Sequence, residues 1–297
     1  MNSVIAISII TLGGIAGLAA IILYVVSRKF KVEEDPRIDE VNEILPGANC
    51  GGCGYAGCRN FAEACVKDMT GKFCNVGGAD VMNQVAKIVG AEVSAPDPLL
   101  AVVRCGGSKA CRPKTNNYEG AETCAIVSGI YGGQTGCSFG CLGLGDCEKV
   151  CKFDAIHINT ETGLPEINDE KCTACGACVK TCPKHIIELR KKAPKFRKVY
   201  VSCQNQDKGA TAKKACSAAC IGCGKCVKAC AFEAITLENN LAYIDSQKCK
   251  MCRKCVEQCP TGALKEENFP PRKPKEPATA PQTASSTEKP QNQQPTA

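Results

Sequence analysis

The chain has 297 residues, 26 of them cysteine, no tryptophan, and aromatics at only 5%. A large core of bulky rings is excluded, and small modules this poor in large side chains need disulfides or metals to hold them. With 37 basic against 30 acidic residues the formal charge is +7, a mixed surface that does not mark a nucleic-acid binder, and no nucleic-acid partner is expected.

From Val4 to Val26 the chain carries no charged side chain for 23 positions, enough at 1.5 Å per residue to cross a hydrocarbon layer of ~30 Å. No Lys or Arg precedes this stretch, and it exceeds the ~7–15 apolar residues of a secretory signal. Residues 1–27 therefore read as a transmembrane anchor held in lipid. Arg28, Lys29 and Lys31 follow at once, which places the rest of the chain on the cytoplasmic side and the N-terminus outside. Gly13 and Gly17, with Ala16 and Ala20 one turn along, would let a second helix approach closely. A single span forms no transport path, so any transport must come from other subunits.

Residues 33–93 read as one small domain. Glu33 to Ala48 has the pattern of an amphipathic helix with Val41, Ile44 and Leu45 on one face, a cysteine group occupies 50–74, and Ala79 to Val93 predicts a second short helix. Ala95-Pro96-Asp97-Pro98 is a linker. The segment 266–297, rich in Pro, Ala, Thr, Gln and Lys, is expected to be a disordered tail.

Between linker and tail lies an internal repeat. CSFGCLGLGDCEKVCKFDAIHI (137–158) aligns without a gap on CSAACIGCGKCVKACAFEAITL (216–237). Each copy has a second half, CTACGACVKTCPKHIIEL from Cys172 and CKMCRKCVEQCPTGAL from Cys249. Every half-unit ends in an apolar pair (Ala155-Ile156, Ile186-Ile187, Ala234-Ile235, Ala263-Leu264), which predicts a short strand after each cysteine run. The expected fold class is α+β: an anchor helix, a small N-terminal metal domain, and two tandem modules at 99–190 and 199–265.

Thiols this close along the chain do not make a loop-closing disulfide framework, and thiolate ligands require a reducing compartment. Three cysteines at C-x2-C-x2-C can hold three irons of a [4Fe–4S] cubane, while the fourth, followed by Pro at Cys182-Pro183 and Cys259-Pro260, ligates the cluster of the other half-unit. All-thiolate zinc sites use two separated C-x2-C knuckles, a different pattern. The crossover rule gives Cys220, Cys223, Cys226 and Cys259 for one cluster and Cys230, Cys249, Cys252 and Cys255 for its neighbour. In the first module it gives Cys151, Cys172, Cys175 and Cys178. The remaining set is irregular, because Leu144 stands where the second copy has Cys223; Cys137 is expected to join Cys141, Cys147 and Cys182, leaving Cys216 free.

The N-terminal group Cys50-x2-Cys53-x4-Cys58-x15-Cys74, threaded with glycines at 51, 52, 54 and 57, forms a fifth set. No Lys-Ser/Thr pair marks it as a phosphate loop. Cys65 reads as a buried small hydrophobe. Cys65, Cys105, Cys111, Cys124, Cys203 and Cys216 remain outside the five sets, and some of them could bind a sixth cluster. His157 and His185 lie outside the ligand runs. No acid–base constellation is present, so no residue is assigned a catalytic role.

The anchor, the NCGGCGYAGC segment closed by Cys74, and the downstream ferredoxin units together resemble the B subunit of the Rnf complexes in its long form, over residues 1–265. The resemblance implies a component of a membrane-bound, ion-translocating ferredoxin:NAD oxidoreductase in a bacterial inner membrane. It implies that this component takes electrons from reduced ferredoxin and passes them to membrane and flavin-bearing partner subunits. Three departures stand out: Leu144, and Lys152 and Ala231 where a ferredoxin often has Pro. The run Arg190, Lys191, Lys192, Lys195, Arg197 and Lys198 is a candidate dock for an acidic donor. Lys225, Lys228, Lys250, Arg253 and Lys254 are expected to favour the reduced state of nearby clusters. An anchored electron-transfer component of a hydrogenase or formate dehydrogenase is the alternative reading, and a metal-stabilised scaffold without redox chemistry a third.

Overall fold

The computed structural model describes residues 2–29, 35–130 and 132–272. Lys31, the first residues of the domain expected from 33, and the tail beyond 272 lie outside the described residues. Helix α1 (Asn2–Lys29) is uninterrupted, ends on Arg28 and Lys29, and includes a membrane-length apolar span at Thr11–Lys29. None of that span is buried within the chain, and Leu12, Ile15, Leu18 and Ile21 all project outward. A span apolar on every side and unburied by the rest of the described chain is suited to lipid.

Three helices build the N-terminal unit: α2 (Arg37–Ile44), α3 (Cys58–Lys67) and α4 (Gly78–Val89). Their apolar faces meet in a core of Ile38, Val41, Leu45, Phe61, Ala62, Cys65, Met69, Met82 and Val85. Val41 and Leu45 point inward as the sequence pattern predicts, and Ile44 packs at the edge. Helix α4 stops four residues before the expected Val93, because Gly90 takes a left-handed conformation (φ 76°) and returns its N–H to Ala86 O at 2.8 Å.

The rest of the chain repeats one plan twice. In the first copy β1 (Leu99–Val103) is followed by α5 (Cys124–Ile130), α6 (Asp146–Lys149), β2 (Ile156–Ile158), β3 (Pro165–Ile167), α7 (Ala177–Thr181) and β4 (Ile187–Lys191). In the second, β5 (Lys198–Val201) is followed by α8 (Gly209–Ala215), α9 (Lys225–Lys228), β6 (Ile235–Glu238), β7 (Leu241–Ile244), α10 (Lys254–Glu257) and β8 (Leu264–Glu267). The outer strands pair antiparallel, β1 with β4 and β5 with β8, and the inner strands form hairpins, β2 with β3 and β6 with β7. A strand begins at each apolar pair that follows a cysteine run. Strand β8 takes up Glu266 and Glu267, and Arg272 bridges Glu257 at 2.6 Å, so the ordered chain runs past the expected boundary at 265.

The repeat extends to single dihedral angles. Gly143, Ala174, Gly222 and Met251, each one residue before the second position of a C-x2-C-x2-C loop, all have φ between 54° and 74°. Three residues after the fourth cysteine of each half-unit, Asp154, His185, Glu233 and Gly262 are again left-handed. Side chains other than Gly resist this region, so its recurrence at Ala174 and Met251 marks one loop shape kept in every half-unit despite its strain. His185 is a turn residue. His157 lies on the surface between Glu148 and Asp154.

The two modules are joined by a charged seam. Arg104 and Arg190 are each only 5% exposed, and both reach Glu188, at 3.2 and 2.8 Å. Both guanidinium groups stack on Tyr243, Arg190 also donates to Ile244 O, and Arg104 Nε donates to Val201 O at 3.4 Å. Lys198 is buried between Asp169 at 2.7 Å and Glu267 at 3.0 Å. The basic run that is the candidate dock is divided: Arg190 and Lys198 are buried and paired, Lys191 bridges Asp97 at the surface, Lys192 and Arg197 are half-buried, and Lys195 is exposed.

Candidate metal centres

The N-terminal cysteines surround one cavity, lined by Cys50, Cys53, Cys58 and Cys74 with Gly51, Gly52, Gly57, Leu45 and Phe61. Asn49 shapes its mouth: its side-chain oxygen accepts from Cys58 N at 2.8 Å, while its amide donates to Gly47 O at 3.1 Å. Gly77 N donates to Cys74 Sγ at 3.4 Å. Burial raises the Cys74 thiol, partly opposed by the backbone amides of Gly77 and Val76. Cys65 faces away, fully enclosed in the helical core, and burial raises it to about 11, as an unligated thiol in apolar surroundings should be.

A second cavity is lined by Cys151, Cys172, Cys175 and Cys178, with Ala101, Phe153, Ile156 and Ile167 supplying an apolar wall. Ala155 N donates to Cys151 Sγ at 3.4 Å. Thr173 Oγ1, also on the lining, is buried without a hydrogen-bond partner. Burial raises Cys178 to about 12.

The third cavity departs from expectation. It is lined by Cys141, Cys147 and Cys182, but its fourth thiol is Cys124 and not Cys137. Helix α5 begins at Cys124, and Ala125 N donates to Asp146 Oδ2 at 3.1 Å, which ties that helix to α6 and the loop carrying Cys147. Burial raises Cys147 to about 12, with Cys124 and Cys182 as its nearest thiol influences. Leu142, Gly143 and Gly145 keep the winding of the regular loops around this cavity. Leu144 therefore stands in the place of a thiol without changing the loop, and the start of α5 brings the Cys124 thiol to the lining.

In the second module Cys226 has Cys220 and Cys223 as neighbours, and Cys255 has Cys249, Cys252, Cys226 and Cys230, so the thiols of its two half-units lie close together. Burial raises Cys226 to about 11 and Cys255 to about 12. Cys259 goes the other way: burial opposes, but amides of Leu264, Thr261 and Ala263 hold it below the ordinary thiol value. Met251 N donates to Cys249 Sγ at 3.4 Å.

Cys137 belongs to a further group between the modules. Cys216 has Cys105, Cys137 and Cys111 as its thiol neighbours, and Asn205, fully buried, donates to Cys137 Sγ at 3.5 Å. Ser217 N fixes the Cys111 carbonyl at 2.9 Å. Arg112 runs along this group beside Gly107 and Gly140, and its Nε is buried without a partner. A buried, unsatisfied guanidinium N–H near Cys137 and Cys216 fits an anionic centre. Cys203 stands aside, next to Cys220 and Cys137, and burial raises it to about 11. The gap-free alignment of Cys137 on Cys216 was the signal for this group: equivalent positions come from both copies to one place.

Among the described residues no three His, Cys, Asp or Glu side chains are grouped as ligands of a single metal ion. Thiols instead ring cavities, as a cluster with an iron at each of several corners requires.

Comparison with known proteins agrees. A 4Fe-4S dicluster domain model matches 135–186 and 219–263, and a second dicluster model matches 164–231. The latter frame straddles both copies, as a periodic cysteine pattern allows, whereas strand pairing joins 99–103 to 187–191 and 198–201 to 264–267. An Fe–S cluster model matches 45–71. The chain is 46% identical over 242 residues to the B subunit of the Na(+)-translocating ferredoxin:NAD(+) oxidoreductase complex of Acetobacterium woodii, covering 80% of this chain and 72% of the relative. It is 42% identical over 271 residues to the B subunit of the proton-translocating ferredoxin:NAD(+) oxidoreductase complex of Clostridium ljungdahlii, covering 89% and 93%. The B subunit of the ion-translocating oxidoreductase complex of Methanosarcina acetivorans is 39% identical over 251 residues, covering 84% and 93%. Anchor helix, thiol-lined cavities and similarity along most of its length agree on one assignment: this membrane-associated chain carries several [4Fe–4S] clusters and belongs to the B-subunit family of the Rnf-type ion-translocating oxidoreductase complexes.

Proposed function

We propose that the chain is the cytoplasmic electron-carrying arm of a membrane complex that couples electron transfer from reduced ferredoxin to NAD with ion movement across the membrane. The thiol-lined cavities of the N-terminal unit and the first module, with the grouped thiols of the second, carry this reading. The clusters, when bound, supply one-electron carriers whose potentials respond to charge, hydrogen bonds to sulfur and exposure. The chain's own groups set those conditions. Amides of Gly77, Ala155 and Met251 donate to sulfur, and Ala101, Phe153 and Ile156 keep water out. Partner subunits supply NAD chemistry and the ion path, since one helix cannot form a channel; Arg28 and Lys29 favour a cytoplasmic location for everything downstream. The relatives' names favour this complex over a hydrogenase or formate dehydrogenase.

The cavity linings and thiol neighbours support six ligand sets: Cys50, Cys53, Cys58 and Cys74; Cys151, Cys172, Cys175 and Cys178; Cys124, Cys141, Cys147 and Cys182; Cys220, Cys223, Cys226 and Cys259; Cys230, Cys249, Cys252 and Cys255; and Cys105, Cys111, Cys137 and Cys216. The domain frame is an anchor, an N-terminal unit and modules over 99–191 and 198–267. The test is purification in mild detergent under anaerobic conditions. Co-purifying multi-span and flavin-bearing subunits, with ferredoxin-dependent reduction of the chain, support the proposal. A nickel- or molybdenum-bearing partner overturns it.

A further inference from the structure

Lys152 occupies the position after Cys151 where ferredoxin-like turns often carry Pro, and the structure gives it a task. Its Nζ crosses to the N-terminal unit and donates to Ala48 O at 3.1 Å and Asn49 O at 3.0 Å. Lys180, on α7, makes the same crossing and donates to Gly51 O at 3.3 Å. Asn75 returns the contact, donating its side-chain amide to Ala174 O at 3.3 Å. Four hydrogen bonds thus link the segments around Cys50 and Cys74 to the segments around Cys151, Cys175 and Cys178.

Within this ring the two backbones touch. A Cβ built on Gly52 would overlap the Cys175 carbonyl oxygen and stand 3.0 Å from Cys175 Cα and 3.1 Å from its carbonyl carbon. The obstacle is main chain, which cannot rotate away. Gly52 does not have positive φ, so the requirement here is space and not backbone conformation. Cys175 consequently lines both cavities: the N-terminal one with Cys50, Cys53, Cys58 and Cys74, and its own with Cys151, Cys172 and Cys178. One residue forms the wall between two sites.

We propose that Gly52, Lys152, Lys180 and Asn75 are positioning residues of an intramolecular seam that holds these two sites in electronic contact across Cys175, making the N-terminal site the direct neighbour of the Cys151/Cys172/Cys175/Cys178 site in the electron sequence. This rests on the reading of both sites as cluster sites. The transfer is a single electron from one reduced centre to an adjacent oxidised one, with no bond made or broken. The lysines give the seam strength, and the absent side chain at Gly52 gives it closeness.

The experiment uses the full chain, loaded with iron and sulfide, in two variants: Gly52→Ala, and Lys152→Ala with Lys180→Ala. Amide hydrogen exchange is followed over 48–53 and 173–177, with 220–260 as internal control. Spin–spin broadening in the fully reduced EPR spectrum is compared at equal iron content and equal integrated spin. The expected result is about a tenfold rise in exchange of both facing segments in Gly52→Ala, a smaller rise in the double lysine variant, and loss of one coupled pair from the spectrum with iron unchanged. Unchanged exchange in both variants overturns the seam. Faster exchange with an unaltered coupling pattern overturns the electronic contact. Absence of iron from the parent protein refutes the cluster reading instead, and exchange measured on that same protein still decides whether the seam exists.

Discussion

Replacing Arg190 with Ala tests whether the basic run between the modules is internal structure or a docking surface. The side chain is 5% exposed, donates to Ile244 O, and lies 5.6 Å from the Tyr243 ring centre. Its removal leaves a buried carbonyl without a donor, which costs about 1–3 kcal/mol, and forfeits a cation–π contact worth about 0.5–2 kcal/mol. Glu188 is not orphaned, because Arg104 remains at 3.2 Å, so the larger penalty for a stranded buried charge does not apply. The sum is about 3 kcal/mol, equivalent to a fall of about 6–12 °C in the apparent unfolding midpoint of a unit this size. Thermal unfolding of the cluster-loaded protein, followed by loss of visible absorbance, measures it. The exposed Lys195 serves as control, and Lys195→Ala should leave the midpoint within about 1–2 °C, as expected for a surface substitution of at most ~0.5 kcal/mol. A midpoint for Arg190→Ala unmoved from the parent, together with slower and less salt-dependent reduction by ferredoxin, would refute the structural argument and restore the docking role.

Cys124→Ser should remove one cluster, about four irons per chain, while Cys203→Ser should leave iron content unchanged; iron and sulfide analysis of anaerobic preparations reads both. Cys137→Ser should also lose one cluster, and its EPR difference spectrum should differ from that of Cys124→Ser; identical difference spectra would return Cys137 to the set with Cys141. Cys65, raised from 9.0 to about 11 by burial, keeps its proton in the fold while the unfolded chain loses it. Its contribution to stability is therefore complete below about pH 9 and lost as pH rises toward 11. Cys65→Ala should be less pH-sensitive than the parent across that window in thermal unfolding, and equal slopes would contradict the assignment of a buried protonated thiol. Deleting residues 1–29 should release the chain from the membrane fraction with its iron content intact; retention of the truncated chain would require a second membrane attachment.

Much of the architecture was legible because cysteine spacing and chain periodicity report the same units. The gap-free alignment of 137–158 on 216–237 anticipated two copies of one plan, and the apolar pair after each cysteine run located β2, β4, β6 and β8. Local rules did not show which thiols come together from a distance. Cys124 is seventeen residues before Cys141 and reaches the cavity because α5 is tied to Asp146, a tertiary bond invisible to spacing. The group of Cys105, Cys111, Cys137 and Cys216 draws on both copies and requires the docked modules. Charge along a sequence does not reveal which members of the basic run are paired: Glu188 lies two residues from Arg190 on β4, whereas Glu267 reaches Lys198 by strand pairing and Asp169 reaches it across the seam. Lys152 is similar, a departure in the sequence whose meaning is a contact about a hundred residues away.

The central claim is that the cysteines serve as ligands of a multi-cluster electron path. Mössbauer spectroscopy of the full chain, assembled with ⁵⁷Fe and stoichiometrically titrated with a one-electron reductant, tests it most directly. The account predicts about 24 irons per chain, all in [4Fe–4S] environments, accepting about one electron per four irons. About 20 irons would remove the interdomain site. Zinc in place of iron, or iron that accepts no electrons, would contradict the account as a whole.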